Sequence, residues 1–218
     1  MPRVIDIILS LLALLILLPL LAPIALLLFL TGEHKVFYLQ NRVGYKNQNF
    51  KILKFATMLS NSSNMGSGSL TLKNDPRVLP FGKFLRKTKI NELPQILNII
   101  IGDLSIVGPR PQMDVDFKKY SNEVQQKIYN VRPGLTGIGS IIFRDEESLI
   151  SKAAENEDPH KFYKRVIAPY KGALEMWYQK NKSFVLDIKL IFITAWVIIF
   201  PESKIYESWF KDLPKRNF

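Results

Sequence analysis

Residues 7–30 are apolar apart from Ser10, Pro19 and Pro23. As an α-helix these positions would reach about 36 Å at roughly 1.5 Å per residue, against a bilayer hydrocarbon core of about 30 Å. A run of this kind must be housed before the rest of the chain can be arranged. A cleaved signal peptide fits poorly, because the run is long for such a segment and no small-x-small cleavage site follows it cleanly. Two placements remain: a simple spanning helix, and a helix that enters the membrane, bends and leaves on the same side. Pro19 and Pro23 each remove a helix hydrogen bond and can bend the axis. Arg3 precedes the run, and Lys35, Arg42 and Lys46 follow it. Positive charge tends to stay on the cytoplasmic side, which favours the second placement, with the freed backbone groups needing local partners. The expectation is a re-entrant, Pro-broken membrane helix over residues 1–32 and a small membrane-associated cytoplasmic domain over residues 33–218.

The whole chain of 218 residues has room for one domain plus that membrane element. Lys and Arg number 30 against 19 Asp and Glu, a formal charge of +11. Most of the excess lies in residues 33–90, where Glu33 and Asp75 are the only acids. Such a balance suits a polyanionic partner: nucleic acid, anionic lipid or a phosphorylated substrate. The plainer reading is a solvated basic face beside a membrane. No nucleic-acid recognition motif accompanies the charge, so no nucleic-acid partner is expected. Cysteine is absent, which excludes disulfides and thiolate metal sites. His34 and His160 stand far apart, and neither a histidine metal site nor a triad is expected.

The remaining pattern reads as mixed α/β and helix-rich. Residues 35–40 and 50–55 have strand character, with a turn at Val43-Gly44. Residues 59–69, rich in Ser, Asn and Gly, read as a mobile loop. Residues 81–101 read as a helix in two pieces. Asn91 and Glu92 fall in the first turn of the second piece, where Pro94 is tolerated, and Gly102 stops it. Residues 121–130 read as a helix ended by Arg132-Pro133-Gly134, and residues 151–182 as mostly helical. The second apolar run, residues 184–200, is short for a span and carries Asp187 and Lys189 near its start. It reads as a partly buried or interfacial amphipathic helix, with Trp196 and Trp209 at headgroup level or in a core.

Alone, Asn91-Glu92 would pass for a helix cap followed by an acid that complements the helix dipole. Its surroundings point to chemistry. Arg86, Lys87 and Lys89 precede it closely, and Asp103 and Arg110 follow. Acids that hold a divalent metal beside cations that neutralise phosphate suit a phosphate-transfer site.

An ordered series then becomes visible: Gln40-Asn-Arg-Val-Gly44, Lys51-Ile-Leu-Lys-Phe-Ala-Thr-Met58, Asn91-Glu-Leu-Pro-Gln95, residues 102–111 with Gly-Pro-Arg-Pro, Val131-Arg-Pro-Gly-Leu-Thr-Gly137 and Asn181-Lys-Ser-Phe-Val-Leu-Asp187. With the Pro-containing membrane run, this series resembles the monotopic phosphoglycosyl transferases of the bacterial sugar transferase family, over nearly the whole chain. The resemblance implies transfer of a sugar 1-phosphate from a nucleoside diphosphate sugar, usually a UDP-sugar, to undecaprenyl phosphate. The products would be a lipid diphosphate-linked sugar and UMP, in the first membrane step of surface glycan synthesis. It implies a site on the cytoplasmic face of the bacterial inner membrane, with the re-entrant helix broken at Pro19. It also implies a Mg²⁺ cofactor associated with Glu92, and phosphate contacts from Arg110, Arg132 and Lys54. Arg86 is added from the basic cluster. Oligomeric state is left open, a homodimer being the one assembly considered.

Four departures from the family pattern stand out. Asn91 stands where relatives carry the nucleophilic Asp. Ala56 replaces a common Lys or Arg, Ile138-Gly-Ser-Ile141 replaces a different run after Gly137, and Glu175 occupies a position that is often Asp. An amide is a poor nucleophile, because its nitrogen lone pair is delocalised. Three explanations stand: Glu92 attacks, with Asn91 orienting; the lipid phosphate attacks directly; or the chain is a catalytically inactive member that binds substrate or lipid and regulates a partner. Retained transfer is the favoured expectation.

Overall fold

The computed structural model describes residues 1–66 and 68–218. Helix α1 (Arg3–Leu30) continues through Pro19 and Pro23. Each proline withholds the amide that would bond the carbonyl four residues earlier. Among the described residues it is the one helix long and apolar enough to cross a membrane. Its two ends are held by the same body of protein. At the start, Arg3 Nη2 donates to the Ile100 carbonyl at 2.9 Å. The buried Asp6 carboxylate accepts from Ser105 Oγ at 2.9 Å and from the Ile106 amide at 3.0 Å. Towards the end, Leu21, Ile24 and Leu28 pack with Phe55 and Leu85. Between these anchors Leu11, Leu12, Leu15, Ile16 and Leu18 are exposed.

Strands β1 (Phe37–Val43) and β2 (Asn49–Phe55) form an antiparallel hairpin, registered from Phe37 opposite Phe55 to Val43 opposite Asn49. The first strand starts later and runs further than expected, because pairing with β2 sets its extent. The connection after Gly44 is a 3₁₀ turn (Tyr45–Asn47), with Lys46 and Asn47 at positive φ. Helix α2 (Pro80–Lys87) follows, then a 3₁₀ turn (Ile90–Gln95), then α3 (Ile96–Ile101), which ends at Gly102 with φ 114°. Asn91 and Glu92 therefore sit in a 3₁₀ turn ahead of α3, not in the first turn of an α-helix. Lys89 opens that turn in the left-handed conformation, and Pro94 lacks the N–H that an α-helix would direct to Ile90.

Strand β3 (Ser105–Val107) pairs in parallel with β4 (Gly134–Thr136). The two approach so closely beyond β3 that a Cβ at Gly108 would collide with the Arg132 carbonyl, and one at Gly137 with the Gly108 carbonyl. This backbone-on-backbone contact accounts for the glycines of both motifs and fixes where residues 109–111 leave the sheet. Short helices α4 (Asp114–Phe117) and α5 (Asn122–Lys127) follow, the second capped by Ser121 Oγ. Next come α6 (Ile138–Ile142), α7 (Glu146–Ala153) and α8 (Pro159–Phe162). A π turn (Tyr163–Ile167) leads into α9 (Ala168–Asn181), followed by α10 (Phe184–Ile199) and α11 (Ile205–Trp209). The helix expected over residues 151–182 is thus interrupted before Pro159.

The main core joins α6, α9 and α10 through Ile138, Leu174, Tyr178, Leu190 and Ile193. Helix α10 is half-buried: Leu186, Asp187, Leu190, Ile193 and Val197 face inward, while Val185, Phe192, Ile198 and Ile199 are exposed. The loop at residues 59–69, read from composition as mobile, is wound around a buried guanidinium. Arg77 donates to the carbonyls of Ser62, Met65 and Gly68 at 2.8, 2.8 and 2.9 Å, and pairs with Asp75 at 2.6 Å. Residue 67 of that loop lies outside the described residues.

Candidate active site

A cleft of about 1710 Å³ is lined by β1, β2, α2 and the Ile90–Gln95 turn, together with residues of α6 and α7. Basic side chains outnumber acidic ones along it. Glu92 is among the residues that line it. Arg110 Nη2 donates to Glu92 Oε1 at 2.7 Å, Arg110 Nη1 to Oε2 at 3.4 Å, and Lys54 Nζ to Oε1 at 3.3 Å. The three side chains come from distant parts of the chain: β2 supplies Lys54, the turn supplies Glu92, and Pro109-Arg110-Pro111 leaves β3. Glu92 and Lys54 are only 16% and 15% exposed, so the pair is largely desolvated.

The electrostatics follow from that burial. Burial alone would lift the Glu92 carboxyl. The charges of Arg110 and Lys54, the Arg110 hydrogen bonds and nearby Lys89 outweigh it, and Glu92 lies well below the usual carboxylate range. Burial pushes Lys54 down to about 7 despite Glu92, with Arg42 and Arg110 adding repulsion. Lys89 is also lowered, chiefly by burial. Arg110 is raised by the Glu92 charge. Arg42, from β1, completes the group: it donates to Gln40 Oε1 at 2.6 Å and to the Pro111 carbonyl at 3.1 Å.

The structure brings together Glu92, Lys54, Arg110 and Asn91. Asn91 is buried, and its Oδ1 makes no hydrogen bond to the described residues. Arg86 lines the same cleft, where it pairs with Glu147 at 2.7 Å. Arg132 stands elsewhere: its Nε donates to the Gly102 carbonyl at 3.0 Å, and its guanidinium lies 5.3 Å from the Tyr45 ring centre. Asp103 is tied to Asn98 Nδ2 at 3.1 Å. Pro19 lies in the interior of α1.

Four residues in or beside the site were not singled out as site residues in the sequence. Arg42 lay within a motif without an assigned role. Glu175 is buried beneath residues 109–111, where its Oε1 accepts from the Arg110 amide at 3.4 Å while its Oε2 has no partner among the described residues. Burial pushes its carboxyl up to about 8. The Lys171–Glu146 pair, at 2.7 Å, lines the cleft as well.

No group of three or more His, Asp or Glu stands together among the described residues. A divalent cation would therefore draw few ligands from this chain. The donors present suit Mg²⁺, which takes one or two protein oxygens and leaves the rest to water and substrate phosphates. They are the ionised Glu92 carboxylate and the unpartnered Asn91 Oδ1 beside it in sequence.

The profile of the bacterial sugar transferase family matches residues 1–201. The UDP-N-acetylgalactosamine-undecaprenyl-phosphate N-acetylgalactosaminephosphotransferase of Aeromonas hydrophila is 33% identical over 199 residues, covering 90% of this chain and 43% of that protein. The exopolysaccharide production protein ExoY of Sinorhizobium fredii is 33% identical over 206 residues, covering 88% and 82%. The UDP-glucose:undecaprenyl-phosphate glucose-1-phosphate transferase of Escherichia coli is 33% identical over 192 residues, covering 87% and 38%. The chain thus spans less than half the length of two of these curated relatives and most of the third.

Proposed function

This chain belongs to the bacterial sugar transferase family, and on that premise we propose that it moves a sugar 1-phosphate from a UDP-sugar to undecaprenyl phosphate. An oxygen of the lipid phosphate forms a bond to the β-phosphorus of the sugar nucleotide. The bond from that phosphorus to the bridging oxygen breaks, and UMP leaves with the oxygen. The observation that carries this reading is Glu92, buried and ionised between Arg110 and Lys54 in a basic cleft. Arg110 offers a planar fork suited to phosphate oxygens, and Arg42, Lys54 and Lys89 add positive charge where negative charge must be neutralised. Glu92 and Asn91 Oδ1 would hold Mg²⁺, which when bound neutralises the diphosphate and favours departure of UMP.

The attacking group in this reading is the lipid phosphate itself. Asn91 has no free electron pair on nitrogen to form a covalent intermediate. Glu92 carries its charge against two cations, which lowers its basicity and with it its nucleophilicity.

The helix α1 is proposed to be re-entrant. Arg3 and Asp6 at its start, and Leu21, Ile24 and Leu28 further on, all bind the same body. A spanning helix would separate its ends by about 30 Å of hydrocarbon. The exposed leucines between the anchors would lie in one leaflet, with the exposed face of α10 at the interface. The body then stays on the side where soluble sugar nucleotides occur, the cytoplasmic face.

A second reading rests on the amide at position 91: a member that binds substrate and regulates a partner without transferring. A UMP-release panel of UDP-sugars, run with undecaprenyl phosphate and Mg²⁺, separates the two. Transfer by direct attack requires both substrates for UMP release, and leaves no phosphosugar on the protein by intact mass. If the parent is silent with every sugar while Asn91→Asp turns over, the second reading stands. A phosphosugar adduct on Glu92 would overturn direct attack.

A further inference from the structure

Arg110 is held at both ends, and only its guanidinium has been given a role. Its neighbours Pro109 and Pro111 carry no backbone N–H, so Arg110 supplies the one amide donor of that stretch. Glu175 Oε1 takes it, at 3.4 Å. The two carbonyls that follow it are held too: Tyr129 Oη donates to the Arg110 carbonyl at 2.9 Å, and Arg42 Nη1 to the Pro111 carbonyl at 3.1 Å. Glu175 reaches this amide from α9, and it can do so because residue 139 is glycine. A Cβ at Gly139 would fall on Glu175 Oε1, closer than real Cβ contacts come, and the Glu175 Cδ would be 3.2 Å away. Gly139 lies inside α6 without a positive φ, so no backbone conformation calls for it there. Glycine is the poorer helix former, and the space it leaves is occupied by the carboxyl.

We propose that Gly139 and Glu175 are a positioning pair: the glycine makes room for the carboxyl, and the carboxyl fixes the Arg110 amide so that the guanidinium meets Glu92 and the diphosphate of the substrate. The inference rests on the reading of Glu92 and Arg110 as the phosphate-handling site. Neither member of the pair touches substrate. Relatives often carry Asp at position 175, but in this chain, with glycine at 139, the contact needs an acceptor oxygen at the end of a side chain of this length. Asp is one methylene too short, an alanine at 139 displaces the carboxyl, and Gln keeps an acceptor in place.

The test uses the full chain in detergent micelles with Mg²⁺, reading UDP affinity by calorimetry, UMP release with undecaprenyl phosphate, and melting temperature. Gly139→Ala and Glu175→Asp should each weaken UDP binding and lower kcat by about tenfold, while Glu175→Gln changes either by less than about twofold. In Gly139→Ala/Glu175→Asp the shorter acid relieves the collision, so the melting temperature recovers while UDP affinity stays low. Recovery of both would reduce the pair to packing and overturn the proposal. So would a Gln variant as impaired as the Asp variant, or an Ala variant that binds like the parent. A parent that binds UDP without releasing UMP removes the transfer reading alone, since UDP affinity still reports on the pair. A parent that does neither removes both.

Discussion

Two regions of the molecule bury a glutamate against the same residue, and they treat its charge in opposite ways. Where the Arg110 side chain ends, Glu92 is surrounded by cations and stays ionised far into acid. Where the Arg110 backbone passes, Glu175 meets one amide and little compensating charge, and burial lifts it to about 8. Burial opposes ionisation at both places. What differs is whether a cation reaches the carboxylate at hydrogen-bonding distance. Desolvation therefore does not by itself fix the state of a buried acid around Arg110; its partners do. One acid is suited to charge chemistry, the other to holding a shape.

Breaking the charged region should have the largest effect. Glu92→Gln removes the one carboxylate gripped by both Arg110 and Lys54, and UMP release should fall by about 10³-fold. If full turnover remained, Glu92 would not be the essential group. Arg110→Lys keeps a charge but loses the fork, and should cost about thirtyfold in kcat/KM with the fold intact. An Arg110→Lys protein as active as the parent would show that charge alone suffices.

The pH dependence of stability sharpens the contrast, with smaller effects. The folded pKa of Glu175 lies above its unfolded value of about 4.5. Its contribution is full below that value and is lost as pH rises through about 8. Glu92 is lowered in the fold. Its contribution is present above the unfolded value and is lost as pH falls. Melting temperatures followed across pH should show Glu175→Gln flattening the decline between about 4.5 and 8, and Glu92→Gln flattening the acid limb. The same response from both variants would mean that the two acids do not differ as described.

Parts of this arrangement can be read along the chain because their signals are local. The β1–β2 hairpin shows in side-chain character, the Ser121 cap in one residue, and the Asn91-Glu92 site in the density of charge around it. The 3₁₀ turn is less visible, since Lys89 adopts a left-handed conformation without being glycine or asparagine. Arg132 is expected at phosphate because its motif resembles the family's, and its side chain lies against Gly102 and Tyr45. Arg86 is expected to contact phosphate and is paired with Glu147 in the cleft. Glu175 and Gly139 meet Arg110 only through the tertiary fold, and a contact between distant residues leaves no local pattern.

The Asp6 anchor has one more consequence. Asp6 is bonded to Ser105 and Ile106 in β3, and β3 leads almost directly to Arg110. The apolar helix is therefore coupled to Arg110 through a short path of strand. Any tilt or vertical shift of that helix is transmitted to the arginine as motion of a single lever. In the proposed membrane placement, the height of the guanidinium above the lipid surface becomes a built-in dimension of the protein, and a lipid-borne phosphate is met at a constant level.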